Sequence, residues 1–209
     1  MMRRVFTAAA LALMVAAPLS AQDWQVRVDR STNAADPDDV PEVEVMEMGG
    51  GLHVVTGPAA VVWSPDDRAQ GEYELSGTFV LQSPSDHNNY YGLVFGGGDL
   101  ASSSQNYLYF LVSQNGMFLI KHRANDEAVH TLVEGTEHAA INRPEGGTSS
   151  NDLSVRVGES SIEFLVNGTV VHTLPREGMA SRTDGIYGVR VNHRIPGVMV
   201  TGLEVTSGM

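Results

Sequence analysis

The chain has 209 residues, no cysteine and a formal net charge of −12. That balance argues against nucleic acid and anionic membrane surfaces as partners, since both select cationic patches. The lack of cysteine excludes disulfides, thiolate zinc sites and lipid attachment through a thiol, yet a domain of this size buries enough apolar surface without them.

The first 21 residues read as an export signal: Arg3 and Arg4 form a positive n-region, residues 5–17 are apolar, and 18–21 end in a small residue before Gln22. The apolar run is shorter than the roughly 20 residues of a spanning helix, and no other segment suits one. Residues 22–209, about 190 in all, are then expected to form one exported domain, periplasmic or extracellular.

No stretch holds a 3.6-residue period, whereas period-2 alternation recurs. In 72–81, Tyr73, Leu75, Phe79 and Leu81 alternate with Glu72, Glu74, Ser76 and Thr78, the pattern of a half-buried strand. Further strands are expected at 25–29, 42–48, 52–56, 59–63, 90–96, 107–113, 117–123, 129–134, 152–157, 162–166, 169–174, 185–191 and 198–205. The polar or glycine-rich stretches 31–41, 96–106 and 137–150 read as loops within one domain, because strand signals continue on both sides of each. Many short strands separated by turns imply an all-β, two-sheet antiparallel β-sandwich.

Two Asn-Gly pairs mark hairpins, since a type I′ turn needs positive φ at both central residues. At Asn115-Gly116 a two-residue turn pairs Val112 with Leu119, Phe110 with Lys121 and Leu108 with Arg123, and sets Tyr109 beside His122 on the other face. At Asn167-Gly168 it pairs Val166 with Thr169, Phe164 with Val171 and Ile162 with Thr173, leaving Glu163 opposite His172. Asn167-Gly-Thr169 is formally a glycosylation sequon and is read as a turn only.

The segments 90–96 (Tyr-Tyr-Gly-Leu-Val-Phe-Gly), 107–113 (Tyr-Leu-Tyr-Phe-Leu-Val-Ser), 151–157, 162–172 and 185–191, with the strand ending at Val205, resemble the concanavalin A-like lectin/glucanase jelly rolls over about two thirds of the mature chain. Laminin-G-like and bacterial 3-keto-glycoside hydrolase-like domains look most similar. Such domains open with a Trp-bearing segment beside the closing strand, a place for Trp24 next to 203–205. The resemblance implies a jelly-roll sandwich whose superfamily holds lectins, glycosidases and adhesion modules. The acidic Glu-x-Gln-x-x-Asp pattern of the 3-keto-glycoside hydrolase-like domains has no counterpart in 107–113, which carries no carboxylate.

Carbohydrate is the expected ligand, with three sets of candidate residues. The loop and strand start His87, Asn88 and Tyr90 offer hydrogen bonds to hydroxyls; Tyr109, His122 and Arg123 lie on the second hairpin; Arg190 and Asn192 share the strand face opposite Tyr187, Val189 and Val191. Glu42, Glu44 and Glu47 resemble a variant of the Glu-x-Asp-x-x-Glu strand of laminarinase-type glycosidases. Two share a strand face, and a bulge is needed to bring in the third. An edge strand protected by its charges explains them as well. Asp36, Asp38 and Asp39 are the candidate oxygen donors for Ca²⁺, though their spacing matches no defined calcium loop; no other cofactor is implied. The expectation is a non-catalytic carbohydrate- or surface-ligand-binding module. A glycoside hydrolase and a structural module without a small ligand are the alternatives.

Overall fold

The computed structural model describes residues 23–29, 40 and 42–208. The export signal at 1–21 and the candidate calcium ligands Asp36, Asp38 and Asp39 lie outside these. The described chain forms fourteen strands: β1 (Gln25–Asp29), β2 (Glu44–Met48), β3 (Gly51–Thr56), β4 (Ala59–Ala69), β5 (Tyr73–Leu81), β6 (Tyr90–Gly98), β7 (Asn106–Ser113), β8 (Met117–Arg123), β9 (Val129–Glu137), β10 (Ser149–Val157), β11 (Ser161–Val166), β12 (Thr169–Pro175), β13 (Gly185–Val191) and β14 (Ile195–Ser207). They assemble into two antiparallel seven-stranded sheets. Sheet A has the order β1-β4-β13-β6-β7-β8-β9 and sheet B the order β12-β11-β10-β5-β14-β3-β2. Every strand expected from alternation is present, several of them longer. No described helix is long and apolar enough to cross a membrane.

Alternation decides which side chains meet between the sheets. Tyr73, Leu75, Phe79 and Leu81 of β5 point inward as their spacing requires, and all are buried. Phe164 of sheet B packs against Phe110 and Phe95 of sheet A, with ring centroids 5.3 and 6.2 Å apart. Burying side chains of this size contributes about 1.5–3 kcal/mol each, so these rings are a principal tie between the layers.

Both hairpins depart from the expected registers. Asn167 and Gly168 do take positive φ (50° and 75°), and Val166 pairs with Thr169. A bulge between Phe164 and Leu165 then slips the ladder, so Phe164 faces His172 and Glu163 faces Thr173. Glu163 instead accepts a 2.8 Å bond from Arg156. At the other hairpin only Gly116 has positive φ (78°), and the Gly116 N–H donates to the Ser113 carbonyl. The loop is thus three residues closed by a glycine bulge, not a two-residue type I′ turn. Val112 pairs with Phe118 and Tyr109 with Lys121, one place off the expected register. A one-residue slip exchanges faces, so Tyr109 and His122 point to opposite sides of sheet A.

Candidate functional site

Sheet A carries a second cluster on the face turned away from sheet B: Val61, Trp63, Val94, Tyr107, Tyr109, Leu111 and Leu119 are all buried. The register explains how charged groups come among them. Arg27, Val61, Arg190, Gly92, Leu111 and Leu119 form one continuous row across β1, β4, β13, β6, β7 and β8. Gly92 has φ 157°, and a Cβ there would meet the Phe110 carbonyl oxygen at 2.3 Å, so no other residue fits this row.

Arg190 is the centre of the cluster. Its Nη1 donates to Asp29 Oδ2 at 3.0 Å and to the Tyr107 hydroxyl at 2.6 Å, and its Nε donates to Asn192 Oδ1 at 2.7 Å. The guanidinium carbon lies 5.2 Å from the Tyr109 ring centroid and 5.9 Å from that of Tyr107. A buried cation is tolerated only with partners of this quality. Burial alone would raise the Asp29 carboxyl, but Arg190, Arg123 and Arg27 outweigh it and hold Asp29 below the usual carboxylate range. Burial pushes the Tyr107 phenol up to about 12 despite Arg190, so it stays protonated.

Charged contacts also close one end of this face. Arg27 donates to the Ser102 carbonyl at 2.8 Å and pairs with Asp126 at 2.5 Å, while Arg123 lies 4.0 Å from Asp29. These join the edge strand β1 to residues beside β7 and β8, which lie across the sheet from it. Gln105, fully buried, donates to Asp126 Oδ1 at 2.8 Å. Tyr107, Arg190 and Tyr109 are therefore interior residues.

The opposite end of the face is open. Tyr90 is half-buried at the start of β6, and its carbonyl accepts the Asn192 N–H at 2.7 Å. The Asn88 amide and the Tyr90 hydroxyl both approach Met117 Sδ at 3.8 Å, and Asn88 Oδ1 is buried without a hydrogen-bond partner. Burial raises the Tyr90 phenol, with Ser113 and Asn88 opposing. Asn89 anchors the loop by donating to the Arg194 carbonyl at 2.7 Å, which leaves His87 exposed beside it. The result is a shelf of phenol, amides and thioether, with Asn192 held from beneath by Arg190.

The fold thus joins Asn88, Tyr90, Asn192, Arg190 and Tyr109 along one face, with Arg123 at its closed end and His87 at the edge of its open one. His122 stands apart, 3.2 Å from Asn106 Oδ1 and stacked on His130. The acidic strand is separate too. β2 is the edge of sheet B, and its ladder with β3 runs from Glu44 to Met48 without a bulge, so Glu44 and Glu47 face opposite ways. Glu42 precedes the strand and is exposed, while Glu47 accepts the Trp24 indole N–H at 2.8 Å. Sequence reading missed Asp29, Gln105, Tyr107, Met117 and Asp126. Only the alternation of Arg27 and Asp29 on one strand face hinted at any of them.

No family model and no curated protein matches the chain. Solved structures do. The carbohydrate binding module CBM66 from Bacillus subtilis aligns with TM-score 0.58 at 11% identity, over 79% of this chain and 92% of that one. A Bacillus subtilis protein of unknown function with a galectin-like fold aligns with TM-score 0.58 at 12% identity, over 88% of each chain. A glycoside hydrolase family 16 endo-glucanase from Bacteroides ovatus, in complex with G4G3G-2F-DNP, aligns with TM-score 0.56 at 10% identity, over 85% of this chain and 92% of that one. The shared fold is the concanavalin A-like jelly roll, as the strand motifs implied.

Proposed function

We propose that this chain is an exported module that binds carbohydrate at the open end of sheet A without cleaving it. The observation that carries the reading is the chemistry of that face. Its half-buried end carries the Tyr90 ring, which can stack on a sugar's apolar face, and the amide N–H groups of Asn88 and Asn192, which can donate to sugar hydroxyls. Its carboxylates are engaged in ion pairs. Asp29 and Asp126 share Arg27, and Asp29 is held ionised by three arginines. Glycoside hydrolysis needs one carboxyl kept protonated as general acid, the opposite electrostatic setting. A carbohydrate binding module among the structures of the same fold supports binding, and the endo-glucanase makes hydrolysis the reading to test against.

The test is calorimetric titration of the full chain with soluble neutral glycans, with reducing sugar measured in parallel. Binding without sugar release is expected, weakened about tenfold or more by Tyr90→Ala and by Asn192→Ala, as loss of a stacking or hydrogen-bonding group in a shelf predicts. Sugar release abolished by Asp126→Asn would replace this reading with hydrolysis.

A further inference from the structure

A second cleft lies at the edge of the sandwich where β1 of one sheet meets β2 of the other. Its origin is a divergence of strands. The ladder between β14 and β3 ends at Thr201 and Gly51, and a bulge between Thr201 and Glu204 turns β14 aside through Gly202, whose φ is 60°. On the other side Gly49 and Gly50, with φ of 63° and 78°, reverse the chain from β2 to β3. The gap left between them has a volume of about 490 Å³, within the range of small-ligand pockets. Leu52 and Leu203 line it, with Trp24, Glu47 and Thr201 among its walls. A Cβ at Gly49, Gly50 or Gly202 would meet nothing within 4 Å, so the backbone there is open to a ligand.

We propose that this cleft is a binding site for a neutral hexose ring of a glycan, separate from the Tyr90 shelf. The indole of Trp24 is half-buried and oriented by its 2.8 Å bond to Glu47, which fixes one aromatic face at the cleft wall. A pyranose matches these walls, since its C–H face packs on an aromatic and its hydroxyls need nearby acceptors and donors. Those are the Glu47 carboxylate and the main chain of the glycine turn. The net charge of −12 disfavours uronate or sulfated sugars and leaves a neutral glycan as the occupant.

Intrinsic fluorescence isolates the site, because the chain has two tryptophans and Trp63 is only 3% exposed. Titrating the full chain with cellotetraose and with a mixed-linkage β-glucan tetrasaccharide should give a saturable change in emission. That change should persist in Asn192→Ala, disappear in Trp24→Phe, and need at least tenfold more glycan in Glu47→Gln. An emission change that survives Trp24→Phe, one that needs no more glycan in Glu47→Gln, or no change with either tetrasaccharide, overturns the proposal. Calorimetric binding left unchanged by Tyr90→Ala and by Asn192→Ala, with the Trp24 signal intact, would instead count against the shelf alone.

Discussion

Sheets A and B each hold an arginine between acidic or aromatic partners, and the two are built for different ends. Arg156, on the outer face of sheet B, reaches Glu163 at 2.8 Å and Glu74 at 3.4 Å, with 37% of its side chain exposed. Arg190, on the outer face of sheet A, binds Asp29, Tyr107 and Asn192, with 6% exposed. Water screens the first group and is excluded from the second. An exposed pair of this kind adds little to stability. The interior group is one that the fold cannot lose piecemeal, because each member compensates the burial of another. Sheet B's face is ordinary solvated surface; sheet A's is organised from beneath, and Asn192 carries that organisation to the open shelf.

Arg190→Ala should separate the two regions most sharply. It leaves the Asp29 carboxylate without its buried partner and should cost about 3–5 kcal/mol in denaturant unfolding. Next comes Gly92→Ala, beside Arg190 in the same row. Its positive φ and the clash with Phe110 predict a loss of about 1–3 kcal/mol by the same measurement. Arg156→Ala should cost no more than about 1 kcal/mol, and the difference should vanish in about 1 M salt, where the screening length is about 3 Å. A large cost for Arg156→Ala, or a small one for Arg190→Ala, would break the contrast.

A smaller effect concerns pH. Burial, together with His130 and Arg182, holds the His122 imidazole below its usual value. A base whose folded-state pKa is depressed gives its full stability above the unfolded value of about 6.5 and loses it as pH falls below. Thermal midpoints should therefore decline between pH 7 and pH 5, and His122→Gln, which keeps a donor for Asn106, should flatten that decline.

The limits of reading this chain as a sequence follow from the range of the interactions involved. Strands and the core face of β5 were legible because alternation is local. The conformations of Asn167 and Gly168 were legible because a two-residue turn is local as well. The Asn115-Gly116 register was not, since Asn-Gly serves both a type I′ turn and a three-residue loop with a glycine bulge, and the choice rests on neighbouring strands. The bulge at Phe164 is likewise a property of packing against sheet A. The Arg190 cluster was legible by halves. Sharing a strand face with Asn192 made Arg190 a candidate, but its carboxylate lies 161 positions earlier in the chain. Nothing short of the sheet order brings them together.

The most direct measurement is amide chemical-shift mapping of the full chain during titration with a mixed-linkage β-glucan tetrasaccharide. Binding at the open end of sheet A predicts saturable shifts at His87 to Tyr90, Met117 and Asn192, no cleavage of the glycan, and loss of those shifts in Asn192→Ala. Glycan binding that leaves these residues unshifted, or cleavage of the tetrasaccharide during the titration, would contradict it.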